Sequence, residues 1–236
     1  MNLDSGAKVI SLSLFGADTK YTLGSLKFLT SAKRYLPNWK VVFFVGRSVP
    51  KPHIQQLKSH GARVLHIDEP EGLSAMSWRF RIWLLGNPSW ILFRDADSVV
   101  TLREARAVEQ WVKSGRAAHI IRDHPFHSSP ILGGLWGLRP SFAEWFTKEV
   151  KEYSFTDDYG SDQDFLAKIV YHKVVDSSMV HASFHRHEQV RSLGTFQAGN
   201  SRFGSFCGES ITSGPLTRVY ARLRRLIDRK ACSCER

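Results

Sequence analysis

The chain has 236 residues, of which 42% are hydrophobic, and it carries a formal net charge of +11 at pH 7. This length and apolar content suffice for one globular domain. No apolar run approaches the roughly 20 residues of a membrane-spanning helix, which excludes an integral membrane protein. The first residues lack the basic region and apolar core of a signal peptide, so we expect a cytoplasmic location. Three cysteines exclude a disulfide framework and fit a reducing compartment.

The positive charge would concentrate anionic partners such as nucleotides, polyphosphates, nucleic acid or acidic lipid headgroups. Part of it belongs to a cluster near the C-terminus: Arg218, Arg222, Arg224, Arg225, Arg229 and Lys230. We therefore expect a main domain at residues 1–210 and a basic C-terminal helix or tail at residues 211–236. The tail is either a solvated helix or a peripheral contact at the inner membrane face.

Apolar periodicity and turn residues divide the main domain into alternating strands and helices. Strands are predicted at residues 8–15, 39–45, 63–67, 90–93 and 117–121. Helices are predicted at residues 22–35, 51–60, 74–85, 104–112 and 140–153. A last helix begins at Ser161, with Ser161 as its N-cap and Asp164 as a capping-box acid. This alternation predicts an α/β fold with a mostly parallel central sheet flanked by helices.

Charged side chains follow two of the predicted strands. Asp95 and Asp97 come directly after one strand, and Asp123 and His124 follow the next one along the chain. Ligands of α/β sheets bind beyond the carboxyl ends of the strands, so we expect these groups at one edge of the sheet. Two carboxylates one residue apart supply hard oxygen ligands through which a divalent cation can bridge to a phosphate. The alternative is that both aspartates cap a helix or close a turn.

A glycine-rich apolar segment lies further along the chain. Gly133 and Gly134 suit either a tight turn or close approach of the backbone to a ligand. Trp136, beside them, is the tryptophan that we expect in a pocket, whereas bulky aromatics at helical spacing are usually core residues.

Three carboxylates are candidates for acid–base catalysis. Asp162 and Asp164 open the last predicted helix, where they either cap it or act as a base toward an acceptor or as a stabiliser of a donor. Asp123 belongs to a polar segment with His124 and His127, which shapes a ligand pocket or only a turn stiffened by Pro125.

The Asp95-Ala96-Asp97 sequence after an apolar strand resembles the hallmark of the GT-A fold glycosyltransferases, enzymes that use nucleotide sugars. The likeness covers roughly residues 8–210 and includes the opening strand, the Gly133-Gly134 turn and the Asp162 helix start. It implies a metal-dependent enzyme that transfers a sugar from a UDP- or GDP-sugar to an acceptor hydroxyl. The acceptor would be a glycan or a lipid-linked sugar in surface glycan biosynthesis.

The resemblance also implies a metal centre. In this family the acidic pair holds Mn²⁺ or Mg²⁺ against the donor diphosphate, so Asp97 would be a metal ligand, with Asp95 binding the ion directly or through water. One branch of the family has a late histidine motif that this chain replaces by residues 181–188, and His181 or His185 is the candidate for a third ligand.

The same resemblance assigns a donor pocket. The first strand and its loop contribute Ser13, Phe15, Gly16 and Tyr21, and Tyr21 could stack on the base. The family pattern adds Ala96, Gly133 and Gly134 to the residues that contact the donor. An additional cation for the departing diphosphate is available in Arg79, Arg81 or Arg94. Arg94 could instead pair with one of the two aspartates that follow it.

Two other functions fit some of these features. A non-catalytic nucleic-acid-binding module would use the basic charge and the aromatics, but the arginines are dispersed, so nucleic acid is not the partner that we expect. A metal-dependent phosphoesterase or nucleotidyltransferase would use the acidic pair together with Asp123 and His124.

Overall fold

The structure, a computed structural model, describes residues 3–184 and 206–212 of the chain. His185 and the basic cluster near the C-terminus lie outside these residues, so the predictions for them stay predictions. Within the described part, no helix combines the length and the apolar character that crossing a membrane requires.

Seven strands form one sheet in the described part of the chain. The strands are β1 (Lys8–Leu14), β2 (Lys40–Val45), β3 (Arg63–His66), β4 (Trp90–Arg94), β5 (Ala118–Arg122), β6 (Leu135–Leu138) and β7 (Ser178–Ala182). The helices are α1 (Thr19–Tyr35), α2 (Lys51–Ser59), α3 (Leu102–Ser114), α4 (Ala143–Glu152), α5 (Ser161–Phe165) and α6 (Tyr171–Val174). The other helical segments are 3₁₀ runs at Leu73–Leu85, Pro140–Phe142 and Val175–Ser177 and a π-helical turn at Leu166–Val170.

The strand order is β3-β2-β1-β4-β6-β5-β7, and β6 alone among these seven runs antiparallel to its neighbours. The predicted α/β fold with a mostly parallel sheet is confirmed. Because β6 is antiparallel to both β4 and β5, those two strands point the same way, and their carboxyl ends meet at one edge of the sheet.

Both faces of the sheet are covered, as a largely parallel sheet requires. Alternate residues of β4 face opposite sides: Leu92 packs in the cluster that includes Phe28 of α1 and Trp111 of α3. Phe93 packs in the cluster that includes Phe146 of α4. The two clusters form one core on each side of the sheet, which fixes the ends of β1 and β4 relative to the helices.

One predicted helix is wrong. Leu73–Leu85 forms a run of 3₁₀ turns, although its sequence has good helix formers. Two hydroxyls of β1 form hydrogen bonds with backbone groups of this run. Ser11 Oγ donates to the Arg79 carbonyl (2.6 Å), and Ser13 Oγ accepts from the Arg79 N–H (3.0 Å). Side chains that bind backbone groups in this way compete with α-helical hydrogen bonds. We call residues 73–85 the 3₁₀ segment.

The N-cap prediction for α5 is also wrong. Gly160 occupies the cap position in the left-handed conformation, with a φ of 89°. Ser161 Oγ instead accepts the Thr156 N–H (3.0 Å), and Asp164 pairs with Lys168 on the exposed surface (2.8 Å).

Trp136 is not a pocket residue. It belongs to β6, is fully buried in the core and stacks on Phe93 with ring centroids 4.3 Å apart. The sequence pattern missed β6 because glycines surround this four-residue strand. Gly137 is needed within it, since a Cβ there would lie 2.6 Å from the Ile91 carbonyl oxygen.

Arg94 does not pair with the aspartates that follow it. Its guanidinium is buried and contacts Glu104 of α3 (2.7 Å), and it donates to the backbone carbonyls of Phe93 (2.7 Å) and Trp136 (2.9 Å). Arg94 therefore links β4 to β6 and α3, and it pairs with neither of the two aspartates at the edge of the sheet.

Replacing Glu104 by alanine should strongly destabilise the fold. Loss of one partner leaves a buried charge uncompensated, which costs about 3–5 kcal/mol. The midpoint of urea unfolding should fall accordingly. The control is Glu109→Ala on the same helix, whose exposed pair with Lys113 should contribute nothing measurable. Equal midpoints for the two variants would show that the buried pair does not stabilise the sheet.

Candidate functional site

A cleft of about 270 Å³ opens at the carboxyl ends of β1 and β4. It is lined by ten of the residues predicted for the site: Ser13, Phe15, Tyr21, Arg79, Asp95, Ala96, Asp97, Gly133, Gly134 and Asp162. This position matches the rule that ligands of α/β folds bind beyond the carboxyl edge of the sheet.

Arg79 is the central cation of the cleft. Its guanidinium is buried and forms ion pairs with Asp95 and with Asp162, whose Oδ2 lies 2.5 Å from Nη2. Burial lowers the pKa of Arg79, but the charges of Asp95 and Asp162 outweigh it and raise the pKa above its ordinary value. Arg79 therefore holds the end of β4 and the start of α5 together as a permanently charged bridge.

The 3₁₀ segment places Arg79 at this point. Ser13 of β1 bonds both to the Arg79 N–H and to the Met76 carbonyl, so the backbone around Arg79 is fixed against the sheet. Arg79 Nη1 also donates to the Arg94 carbonyl oxygen (3.2 Å). An arginine within an apparently helical, apolar stretch is thus directed into the site by hydroxyls of the neighbouring strand.

The glycine pair forms part of the cleft wall because it lacks side chains. A Cβ on Gly133 would lie 2.5 Å from Asp162 Oδ2 and 2.6 Å from Arg79 Nη2. A Cβ on Gly134 would overlap the Asp95 carboxylate. These glycines allow charged side chains to lie close to the backbone, and they form the turn before β6, which is the first of the two uses that the sequence suggested.

Asp97 is held from two directions. Lys20 of α1 lies with Nζ 2.9 Å from Asp97 Oδ2, and Ser210 Oγ donates to the same oxygen (2.8 Å). Burial lowers the pKa of Lys20, but its hydrogen bond to Asp97 and the charge of that carboxylate outweigh burial and raise the pKa. The Ile211 N–H donates to the Asp97 carbonyl (2.8 Å), so the backbone is fixed as well.

Residues 206–212, which we call the strap, join the ends of β4 and β5. At one end Ser210 contacts Asp97, and at the other the Cys207 N–H donates to Asp123 Oδ2 (2.9 Å). Phe206 packs on His124 with ring centroids 4.4 Å apart. No local sequence pattern announces this segment, because its partners are more than 80 residues away.

Asp123 lies beside the strap and does not line the cleft. It is fully buried, and its Oδ1 binds Arg103 (2.8 Å) and the Ser183 hydroxyl (2.7 Å). The polar segment after β5 contributes His127 to the cleft lining instead, with His127 Nδ1 accepting the Asp123 N–H (3.0 Å). The structure thus uses Asp123 to fix the polar segment and the strap.

Four further predicted site residues lie outside the cleft lining, and one of them, Arg81, pairs with Glu69. Gly16 has a φ of 78° and donates its N–H to Ser48 Oγ (2.6 Å) just after β1. Asp164 is exposed on the outer side of α5. His181 is buried in β7. No group of three or more His, Cys, Asp or Glu side chains in residues 3–184 and 206–212 is arranged to hold a metal ion.

His181 belongs to a buried hydrogen-bonded chain. Its Nδ1 contacts His119 Nε2 (3.0 Å) and its Nε2 contacts Gln110 (2.9 Å). Burial, followed by the charges of His181 and Arg94, holds the pKa of His119 well below its ordinary value. Both ring nitrogens of His181 are therefore used within the core.

The acidic pair fits a divalent cation by its chemistry. Mn²⁺ and Mg²⁺ prefer hard oxygen ligands, and Mg²⁺ is commonly held by one or two carboxylates together with substrate phosphates and water. Asp95 and Asp97 supply these carboxylates in one cleft, where each already attracts a cation, Arg79 or Lys20. The pair suits a metal ion that a diphosphate ligand also coordinates.

The site contains residues that sequence reasoning missed. Lys20 and Tyr159 line the cleft, as do Gln163 and Gly208. Lys20 comes shortly after the end of β1, and a cation at that place in the sequence could have been recognised as a candidate site residue. Tyr159 and Gly208 are in loops, where periodicity carries no information.

The two glycines should respond differently to alanine. Gly133→Ala must separate a buried ion pair, and overpacking of this kind costs about 1–3 kcal/mol. Gly134→Ala meets only the half-exposed Asp95 carboxylate, which can rotate toward water. Urea unfolding should therefore show the larger loss of stability for Gly133→Ala. A larger loss of stability for Gly134→Ala would mean that the Arg79–Asp162 ion pair can separate without a large cost.

No protein-family model matches the chain, and no curated protein sequence matches it. Among solved structures, it is similar to the mannosyltransferase PcManGT from Pyrobaculum calidifontis in complex with GDP-Man and Mn²⁺. The two are 16% identical over 77% of this chain and 59% of that one, with a TM-score of 0.50. The chain thus spans less than two thirds of the mannosyltransferase.

A second similar structure is a glycosyltransferase involved in the glycosylation of the major capsid of PBCV-1. It is 15% identical over 74% of this chain and 81% of that one, with a TM-score of 0.45. At such identities it is the fold that is shared, and the likeness to the mannosyltransferase confirms the predicted fold. The chain has a GT-A-like α/β fold.

Proposed function

We propose that this chain is a metal-dependent glycosyltransferase that moves a sugar from a nucleotide-diphosphate donor to an acceptor hydroxyl. One observation carries the proposal: Asp95, Asp97 and Asp162 converge with the buried Arg79 in a cleft at the carboxyl edge of a GT-A-like sheet. The mannosyltransferase of similar fold was solved with GDP-Man and Mn²⁺, which supports a nucleotide-sugar donor and a divalent metal.

On the donor side, Asp95 and Asp97 would hold Mn²⁺ or Mg²⁺. When bound, the metal supplies Lewis-acid neutralisation of the charge on the departing diphosphate. The protein adds its own cations, since Arg79 and Lys20 line the same cleft and offer N–H donors that suit phosphate oxygens. These side chains would orient the diphosphate and stabilise its charge.

The nucleotide pocket in this proposal is the β1 side of the cleft. Ser13, Phe15 and Tyr21 line that side, and Tyr21 presents an aromatic ring that suits a base. The backbone of Gly133 and Gly134 gives room for a ligand close to the acidic pair.

On the catalytic side, the carboxylate that would act on the substrates is Asp162. It lines the cleft, its Oδ2 pairs with Arg79, and its Oδ1 accepts the Gln163 N–H (2.9 Å). A carboxylate in this position can take the proton of an acceptor hydroxyl or stabilise charge on the donor sugar. Asp164 and Asp123 do not line the cleft.

The alternative functions gain less from the structure. A phosphoesterase that used Asp123 with the acidic pair would need Asp123 in the cleft, whereas its carboxylate binds Arg103, Ser183 and the Cys207 N–H. The acceptor, whether a glycan or a lipid-linked sugar, and the peripheral membrane contact through the basic tail stay predictions from the sequence.

Nucleoside diphosphate binding should require both the metal and Asp97. Titration calorimetry with UDP, GDP and CDP should show one of them binding in the presence of Mn²⁺ and only weakly without it. Asp97→Asn should weaken that binding at least tenfold, about 1.4 kcal/mol, because a metal-ligand charge is lost. The exposed Asp176→Asn is the charge-matched control and should bind normally.

Unchanged nucleoside diphosphate binding by Asp97→Asn would contradict the assignment of Asp97 as a metal ligand. Salt-sensitive binding of oligonucleotides, without binding of any nucleoside diphosphate, would instead support the nucleic-acid-binding alternative.

In a transfer assay, substitution of the two carboxylates of α5 should have different effects on kcat. Asp162→Asn keeps the side-chain shape but removes the charge, and loss of a general base typically lowers kcat about 10²–10⁴-fold. Nucleoside diphosphate affinity should change far less. Asp164→Asn should retain kcat, since that side chain lies on the outer surface. Normal turnover by Asp162→Asn, with loss in Asp164→Asn, would contradict the assignment.

A further inference from the structure

The aromatic side chain of Tyr159 lies at the cleft and is exposed to solvent. It lines the cleft, yet it is 85% exposed, more than the other exposed large hydrophobic residues of the described chain. Trp136, the aromatic that the sequence suggested for a pocket, is in the core instead. An accessible aromatic ring beside polar groups is a common element of ligand sites.

The loop that carries Tyr159 has a defined conformation. Asp157 accepts the Ser74 N–H (3.0 Å), which lowers the pKa of Asp157 and ties the loop to the 3₁₀ segment. The Ser161 N–H donates to the Asp158 carbonyl (3.2 Å), and Gly160 adopts the left-handed conformation directly after Tyr159. The ring is thus presented by a fixed turn.

Tyr159 adjoins the catalytic side of the cleft. It precedes Asp162 by three residues, and Gln163 lines the cleft next to Asp162. The β1 side already has its own aromatic, Tyr21, next to Lys20. A donor whose base and diphosphate use Tyr21, Lys20 and the acidic pair therefore leaves Tyr159 for the second substrate.

The chemistry around the ring favours an uncharged sugar. The C–H face of a pyranose can pack on an aromatic ring while its hydroxyls bond to polar groups such as the Gln163 amide and the Asp162 carboxylate. A sugar carboxylate placed against Asp162 in the cleft would meet a like charge, whereas a sugar hydroxyl can donate to it. The site thus favours a neutral sugar over a uronic acid or a phosphate.

We propose that Tyr159, with Gln163, forms an acceptor subsite for a neutral sugar ring, an inference that rests on the proposed glycosyltransferase function. Tyr159 stacks on the acceptor sugar and directs its hydroxyl toward Asp162. The acceptor at this point is a neutral glycan residue, and any phosphate of a lipid-linked acceptor lies outside the subsite.

NMR titration tests the subsite without any need for turnover. The probes are methyl glycosides of neutral hexoses, with methyl glucuronide as the charged comparison. In wild-type protein, the C–H protons of at least one neutral glycoside should shift upfield through the ring current, and the glucuronide should bind at least fivefold more weakly.

Tyr159→Ala should weaken neutral glycoside binding about fivefold or more, and Tyr159→Phe should retain it. Phe126→Ala, which removes an exposed aromatic outside the cleft lining, is the matched control and should bind normally.

Failure of the subsite can be distinguished from failure of the proposed function. Calorimetry with Mn²⁺ and the nucleoside diphosphate reports the donor site, and Tyr159→Ala should leave that affinity within twofold. A parallel loss of nucleotide affinity would assign Tyr159 to the donor base and overturn the acceptor subsite. Absence of neutral glycoside binding by wild-type protein would also overturn it, whereas absence of metal-dependent nucleotide binding would overturn the glycosyltransferase itself.

Discussion

The buried guanidinium of Arg79 is the constraint on which the geometry of the cleft depends. A charge out of water is tolerated only when partners satisfy it, and Arg79 has two carboxylates, Asp95 and Asp162. Each partner comes from a different element, so one side chain fixes the end of β4 against the start of α5. Gly133 must lack a side chain because Arg79 and Asp162 occupy the space where its Cβ would be.

This constraint also sets the charge balance of the cleft. Asp95, Asp97 and Asp162 face two cations, Lys20 and Arg79, which they share as ion-pair partners, so these groups together carry one net negative charge. In the proposed function, a divalent cation would turn that balance positive, which would attract a diphosphate. The acidic pair is therefore preorganised by internal cations, and a metal ion has to compete with Arg79 and Lys20 for the carboxylates.

The sequence predicted five strands and the acidic pair because each has a local signature, an apolar run that ends in polar residues. It could not predict the strand β6, since four residues among glycines look like a turn. Nor could it predict that Arg79, rather than Arg94, pairs with Asp95. The two arginines have similar local patterns, and hydroxyls on β1 together with Glu104 on α3 decide which of them enters the cleft.

The strap shows why a site can depend on parts of the chain that carry no motif. Asp97 is positioned by Ser210 and Ile211, although 113 residues separate Asp97 from Ser210. Because the strap also binds Asp123, it couples the end of β4 to the end of β5 across the antiparallel strand between them. A shared fold predicts only that a ligand binds at this edge. The orientation of Asp97 depends instead on its contacts with Ser210 and Ile211 of the strap.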